Sequence, residues 1–237
     1  LDRLRGLKHI FTGGDVLSVP HVRKALKVLG PGVLVNGYGP TENTTFTTCF
    51  PIDDENAFKG SIPIGRPLNN TTVHILDEQL RPVPIGRQGE LYTGGDGVAL
   101  GYWKRDDLTA ERFVADPFSE KPEAKMYRTG DMVRWLPNGT IEFIGRADGQ
   151  VKIRGFRVEL GEIENVLNDL PGVKDRVVVV RGTNSAEKQL ACYVVPTDAS
   201  DHSEPEAREA LIDRVRETLR ERLPNYMVPT AFMVLPS

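Results

Sequence analysis

The first forty residues alternate apolar and polar stretches in the order strand, helix, strand. His9 to Thr12 reads as a buried strand, Gly13 and Gly14 break it, and Ser18 caps a helix from about Val19 to Leu29 with Pro20 in its first turn. Val33 to Asn36 is the next strand. This order predicts the end of an α/β layer with a parallel sheet, in which ligands collect at the loops after the strand ends. Two glycine-rich loops fall there, Thr12 to Asp15 and Gly37 to Pro40.

From about Thr45 to Gly145 the pattern shortens to period-two runs between turn residues, at Thr72 to Leu76, Glu90 to Thr93, Met132 to Leu136 and Thr140 to Ile144. These predict antiparallel sheet. Asn138-Gly139 predicts a two-residue type I′ hairpin turn in which both central positions take positive φ. Beyond Gly149 come two strand-like stretches and a helix from about Leu160 to Asp169. Strands follow at Val173 to Arg181 and Gln189 to Val195, then a charged amphipathic helix from about Glu206 to Arg222. Together these form a small α+β unit. Ile163, Val166, Leu167 and Leu170 make a packing stripe at helical spacing. The Asp-, Ser- and Glu-rich stretch Thr197 to Glu206 reads as a solvated loop, and the closing AFMVLPS as a strand-like run.

Composition changes this picture little. A length of 237 residues, 39% of them hydrophobic and 27% charged, accommodates one large or two modest domains. The 30 basic and 33 acidic residues are interspersed, so no basic field calls for nucleic acid or an anionic membrane. No apolar run approaches the roughly 20 residues that span a bilayer. The N-terminal LDRLRGLKHI lacks the core of a signal peptide, so the expected compartment is the cytoplasm. Cys49 and Cys192 are far apart and lack metal-ligand spacing, and read as two buried thiols rather than a disulfide. The chain opens on a non-methionine residue and stops against a strand-like run, so both ends read as cuts through a longer protein.

Three constellations carry chemistry. In Asn36-Gly-Tyr-Gly-Pro-Thr-Glu42, glycines let backbone approach a ligand, Thr41 offers a hydroxyl to a phosphate, Glu42 a carboxylate to Mg²⁺, and Tyr38 a flat face to a base. In Tyr127-Arg-Thr-Gly-Asp131, a carboxylate just after a glycine turn can accept both hydroxyls of a ribose. Each of these, taken alone, reads equally well as an ordinary turn. From Gly145 to Glu164, basic and apolar side chains alternate at strand spacing before a helix opens, as they also do on a solvated edge strand.

All three occur together and in order, with GELYTGGDGVALGYW (Gly89 to Trp103) between the first and second. Here the chain resembles the adenylate-forming superfamily. That wording and DGQVKIRGFRVELGEIE resemble the amino-acid adenylation domains of nonribosomal peptide synthetases, and the resemblance extends from HIFTGGD to NYMVPTAFMVLPS. It implies the end of a large N-terminal subdomain that includes a distorted β-barrel, over 1–147, and a small mobile α+β C-terminal subdomain over 148–237. Asn36, Gly37 and Tyr38 would hold adenine, Thr41 the phosphate, Glu42 Mg²⁺, and Asp131 the ribose hydroxyls, with a further ribose contact from Arg146. Phe143 stands where the family often has Tyr, so one hydroxyl contact to the nucleotide is missing. Asp148 would be the hinge. Lys152 and Gly155 would lie on a loop that turns toward the active site, Gly155 leaving room for the pantetheine arm of a carrier.

The implied activity is that of an AMP-forming ligase. An amino-acid carboxylate attacks the α-phosphate of ATP, and the phosphopantetheine thiol of a peptidyl carrier protein then takes the acyl group. A condensation domain and a small accessory protein are further implied partners. The family's phosphate loop, its amine-binding aspartate and its last lysine find no counterpart in these residues. The chain alone is therefore expected to carry out little amino-acid-dependent ATP–pyrophosphate exchange. The positions that line the family's substrate pocket map to Phe11, Gly13, Gly37, Thr45 and Phe46, none of them charged, which fits a mid-sized apolar side chain; the set resembles the pocket signature of valine-activating domains, which implies Val first and Ile next. The competing readings are an acyl- or aryl-acid ligase of the same superfamily and a noncatalytic docking module.

Overall fold

In a computed structural model, Ile10 and Leu34 are register partners on two parallel strands, β1 (Ile10–Gly13) and the strand that follows the first helix. That helix, α1 (Val19–Leu29), lays Val22 and Ala25 on them, and Leu34 buries with Phe50, Ile52, Phe58 and Ile62. Ser18 occupies the N-cap position, but its hydroxyl lies 2.8 Å from Nδ1 of His21 and caps no backbone amide. The second strand, β2 (Leu34–Tyr38), continues antiparallel into β3 (Thr48–Pro51), which pairs with β4 (Arg66–Pro67). Only β1 and β2 of this four-stranded sheet are parallel.

The structure describes residues 1–58, 60–148, 150–153, 155–182, 187–198 and 204–236, and the chain divides into two compact units, Leu1–Asp148 and Gly149–Ser237. The first unit continues with β5 (Thr71–Leu76) and β6 (Gln88–Gly95), α2 (Asp106–Arg112), then β7 (Phe113–Ala115), β8 (Lys125–Trp135) and β9 (Ile141–Arg146). These five strands form one open sheet around β8. Along one edge β8 pairs with β6, and along the other with β7 at its start and β9 at its end. Ile64 and Gly65 pair with Ile141 and join the two sheets over a core of Tyr38, Ile64, Ile75, Leu91, Val133 and Ile141.

One local expectation is corrected here, and one helix is added. The β8–β9 connection does not use a type I′ turn, because Asn138 does not take positive φ and only Gly139 does, at 76°. Pro137 fixes its own φ near −65° and suits the first central position of a type I turn. The turn therefore starts a residue early: Gly139 N–H donates to Leu136 O over 2.9 Å, and the glycine takes the left-handed position of a three-residue loop. Helix α2 went unread because none of its seven residues is buried and it has no apolar period; Asp106 and Asp107 in its first turn favour a helix start and were its one local signal.

The second unit contains the hairpin β10 (Gln150–Ile153) and β11 (Phe156–Glu159), α3 (Leu160–Val166), β12 (Val173–Arg181), β13 (Gln189–Pro196), α4 (Pro205–Arg222) and β14 (Ala231–Val234). β13 is central, antiparallel to β12 and parallel to β14. Leu211, Val215 and Leu219 of α4 bury at four-residue intervals against Ile163, Leu167, Val178 and Val194. Helix α3 ends at Val166, before the expected Asp169; Leu170 precedes Pro171 and is disfavoured in a helix, yet Leu167 stays fully buried. Much of the loop read from Thr197 to Glu206, His202 included, lies outside the described residues. Among the described residues no helix is long and apolar enough to cross a membrane.

Truncating Leu167 to Ala is expected to cost about 2–5 kcal/mol, read as a lower denaturation midpoint, because its cavity lies between α3, α4 and the sheet. Both thiols are free. Burial, with the charge of Glu164 adding to it, pushes the Cys192 thiol up to about 12, and burial raises the half-buried Cys49 as well. At pH 8 iodoacetamide should alkylate Cys49 in the native chain and Cys192 only on unfolding, as peptide mass mapping would record.

Candidate functional site

Asp131 sits on an irregularity in β8. Tyr92 of β6 pairs with Arg128 and Glu90 with Met132, so two residues of β6 span four of β8. Gly130 lies in the surplus at φ 76°, where a Cβ would come within 2.6 Å of Asp148 Oδ2 and 2.7 Å of Arg146 Nη2. The glycine that sequence reads as a turn is therefore a bulge inside an eleven-residue strand, required by its φ and by the close approach of both side chains. Thr129 fastens the bulge, its hydroxyl donating to Leu91 O over 2.7 Å and accepting the Asp131 N–H over 3.0 Å.

The Asp131 carboxylate, 4% exposed, accepts the Tyr38 hydroxyl on one oxygen and Arg146 Nη1 on the other, over 2.9 Å. Arg146 also grips Asp148 with two bonds of 2.7 Å and donates to Thr129 O over 3.1 Å, while Arg112 of α2 lies 3.6 Å from Asp148. Burial, and then the nearby Asp131 charge, holds the Tyr38 phenol far above its usual range, so it remains a donor. A carboxylate has about four lone-pair sites, and one fixed by two donors is oriented for further ones, such as a vicinal diol.

Glu42 lies in a 3-10 turn, Thr41–Asn43, that follows Pro40; Thr41 is exposed while Glu42 and Asn43 are buried. Its Oε1 accepts Tyr102 OH over 2.5 Å and Tyr127 OH over 2.8 Å, and its carbonyl accepts the Ala99 N–H over 2.8 Å. Burial and the bond to Glu42 push the Tyr102 phenol well up. Asn43 Nδ2 anchors the turn on Thr93 Oγ1 over 2.5 Å and Thr47 Oγ1 over 3.1 Å. Among the described residues no group of three His, Cys, Asp or Glu could hold a metal. The buried Glu42 carboxylate is of the donor type that Mg²⁺ takes, one or two protein carboxylates with phosphate oxygens and water in the other positions.

The five pocket positions come together on the face of β1 and β2 opposite α1. Phe11 stacks on Phe46 with centroids 5.6 Å apart, and at 54% exposure it is no core residue. Gly13 and Gly37 are register partners; a Cβ on Gly13 would strike Gly37 O at 2.0 Å, and one on Gly37 would strike the Phe46 ring at 2.4 Å. The room these glycines create is thus filled within the chain. Thr45, exposed, holds the left-handed φ of 68° that brings Phe46 over Gly37.

Other positions serve the fold directly. Asn36 is buried and donates to Pro63 O over 2.8 Å. The Tyr38 ring, expected to meet a base, is 7% exposed and packed among Ile64, Leu91 and Val133, with Phe143 half-buried beside it. Lys152 and Gly155 belong to the second unit. Lys152 pairs with Arg157, and Gly155, at φ 85°, is dictated by the hairpin turn and not by crowding, since an added Cβ there meets nothing within 4 Å. Sequence reading missed Tyr102, Tyr127, Thr129 and Arg112 as partners in this network; for the first three, the signal was their place inside the motifs.

An AMP-binding enzyme family model matches residues 1–103, and an AMP-binding enzyme C-terminal domain model residues 162–237. A linear gramicidin synthase of Brevibacillus parabrevis is 54% identical over 99% of this chain and 3% of its own length. Surfactin synthase subunit 3 of Bacillus subtilis (strain 168) is 47% identical over 99% of this chain and 17% of its own. The chain thus spans a small part of these relatives. Among solved structures, PA1221, described as an NRPS protein containing adenylation and PCP domains, superposes with a TM-score of 0.79 at 38% identity, over 100% of this chain and 45% of that one. The chain belongs to the AMP-binding enzyme family, among the adenylation domains of nonribosomal peptide synthetases.

Proposed function

We propose that this chain forms the later part of an adenylation domain that activates an aliphatic amino acid with ATP and passes it to a carrier thiol. The observation that carries the reading is a double brace. Tyr38 of the first motif donates to Asp131 of the second, and Tyr127 of the second donates to Glu42 of the first. Two buried carboxylates are held at fixed positions by buried phenols, one suited to a ribose diol and the other to a cation on the phosphates. Asp131, with Arg146, orients the ribose, Thr41 meets a phosphate oxygen, and Glu42 is the protein ligand of Mg²⁺. Bound Mg²⁺ neutralises phosphate charge as it develops.

In the first half-reaction a carboxylate oxygen of the amino acid bonds to the α-phosphorus, and the bond to pyrophosphate breaks. In the second, a thiolate bonds to the acyl carbon and AMP leaves. Both need oriented charge more than a protein nucleophile. Of the remaining roles, we assign Asp148 to a hinge, Lys152 to the catalytic residues on the loop that turns toward the active site, Gly155 to the passage for pantetheine, and the sheet around β8 to the family's distorted barrel. Carrier and condensation domains, and a small accessory protein, are the proposed partners in the cytoplasm. Support for the carrier comes from PA1221, in which adenylation and PCP domains share one protein.

Phe11, Gly13, Gly37, Thr45 and Phe46 present an uncharged, largely apolar surface that suits an aliphatic side chain, and the resemblance of this set to the pocket signature of valine-activating domains makes Val the proposed substrate and Ile its rival, separated by about 1–3 kcal/mol. In an intact adenylation domain that carries this sequence, Val should stimulate ATP–pyrophosphate exchange more than Ile, and Asp, Glu and Lys should not stimulate it. Exchange driven by a charged amino acid would overturn the substrate assignment. Asp131→Asn should lower the Val-dependent exchange by about 100-fold or more. An unchanged rate would remove Asp131 from the nucleotide site.

A further inference from the structure

The motif Gly89 to Trp103 has no task in the nucleotide reading, yet its second half is built onto the Glu42 turn. Leaving β6, the chain passes Gly95 at φ 101° and crosses the Thr41–Asn43 turn. Ala99 N–H donates to Glu42 O over 2.8 Å, and Thr44 Oγ1 donates to Gly97 O over 2.7 Å. A Cβ on Gly97 would lie 2.5 Å from Asn43 Oδ1, so only glycine lets the strap pass this close. The strap ends at Tyr102, whose hydroxyl donates to Glu42 Oε1 over 2.5 Å and lies 3.2 Å from the Tyr127 hydroxyl.

Tyr102 is itself fixed from two sides. Its N–H donates to Thr109 Oγ1 over 2.9 Å, and its ring stands edge-on to Phe113 with centroids 5.4 Å apart. A half-buried phenol such as that of Tyr102 is served by any acceptor, and a carbonyl would do. Here two phenols from separate elements converge on the same oxygen of one carboxylate, while the backbone of that same residue is pinned by the strap. Residues 97 to 102 thereby reach both the main chain and the side chain of Glu42, the side chain together with Tyr127.

We propose that Tyr102 is a positioning residue for Glu42, and that the strap from Gly95 to Tyr102 fixes where this carboxylate meets the cation of the nucleotide complex. The inference rests on the assignment of Glu42 to Mg²⁺. Tyr102→Phe keeps the ring contact with Phe113 and removes only the hydroxyl, while Gly97→Ala disturbs the strap and leaves Tyr102 intact.

The test uses the intact adenylation domain and Mn²⁺ as probe, with free Mn²⁺ counted by electron paramagnetic resonance in the presence of ATP, alongside the Mg²⁺ dependence of exchange. Each variant should weaken ATP-dependent Mn²⁺ binding about three- to tenfold and raise the half-saturating Mg²⁺ by a similar factor. The KM for the amino acid should stay within twofold, since the pocket face is untouched. Tyr102→Phe that binds Mn²⁺ within twofold of wild type overturns the positioning role, even if its melting temperature falls. Wild-type protein with no ATP-dependent Mn²⁺ binding, or Glu42→Gln with binding unchanged, overturns the assignment of Glu42 and this inference with it.

Discussion

A carboxylate taken out of water must be given donors, and two such groups hold the first unit together. Asp131 and Glu42 are both nearly inaccessible, and each takes a hydroxyl from the motif to which the other belongs. The desolvation cost of two buried anions is large unless charge-assisted hydrogen bonds offset it. The loop after β2 and the middle of β8 are therefore fixed to one another: moving either strands a buried charge. Arg146 extends the constraint by neutralising Asp131 and clamping Asp148, so the end of β9 joins the same network.

The sheet geometry exists to let this happen. Pro40 and two left-handed threonines fold the 40–46 segment back so that Glu42 turns inward and Phe46 outward over Gly37. One short loop thus serves two faces of the unit, the buried carboxylate network on one and the apolar surface of Phe11 and Phe46 on the other. The glycines of β1 and β2 have a packing reason of their own. They let backbones and a phenyl ring approach to distances that a methyl group forbids.

Much of this was legible in the residues, and the gaps have physical causes. Helix α1 is read from Ser18 and Pro20 at its start, although the Ser18 hydroxyl turns to His21 and caps no amide, and Glu42, Asp131 and Arg146 are read from their setting in glycine-bearing motifs. The length of β8 was hidden because Gly130 looks like punctuation, whereas positive φ in mid-strand is a bulge. The hairpin turn was misplaced because Pro137 outweighs Asn138-Gly139. Helix α2 has no buried face to give it a period. Tyr102 and Tyr127 escaped notice as partners of Glu42 because they lie 60 and 85 residues from it, and pairings at that separation leave no local trace.

The bulge in β8 has a consequence for the residues on either side of it. Four residues of β8 answer two of β6, and the extra length is left out of the ladder there. The flanking pairs, Arg128 with Tyr92 and Met132 with Glu90, still face as their partners do, because Glu90 and Tyr92 share one face of β6. Tyr127 and Asp131, each next to one of these pairs, point to the other side, toward the segment that holds Glu42 and Tyr38. The surplus is slack held between two pairings, so the neighbouring strand, and not the length of β8, sets which way the two side chains point.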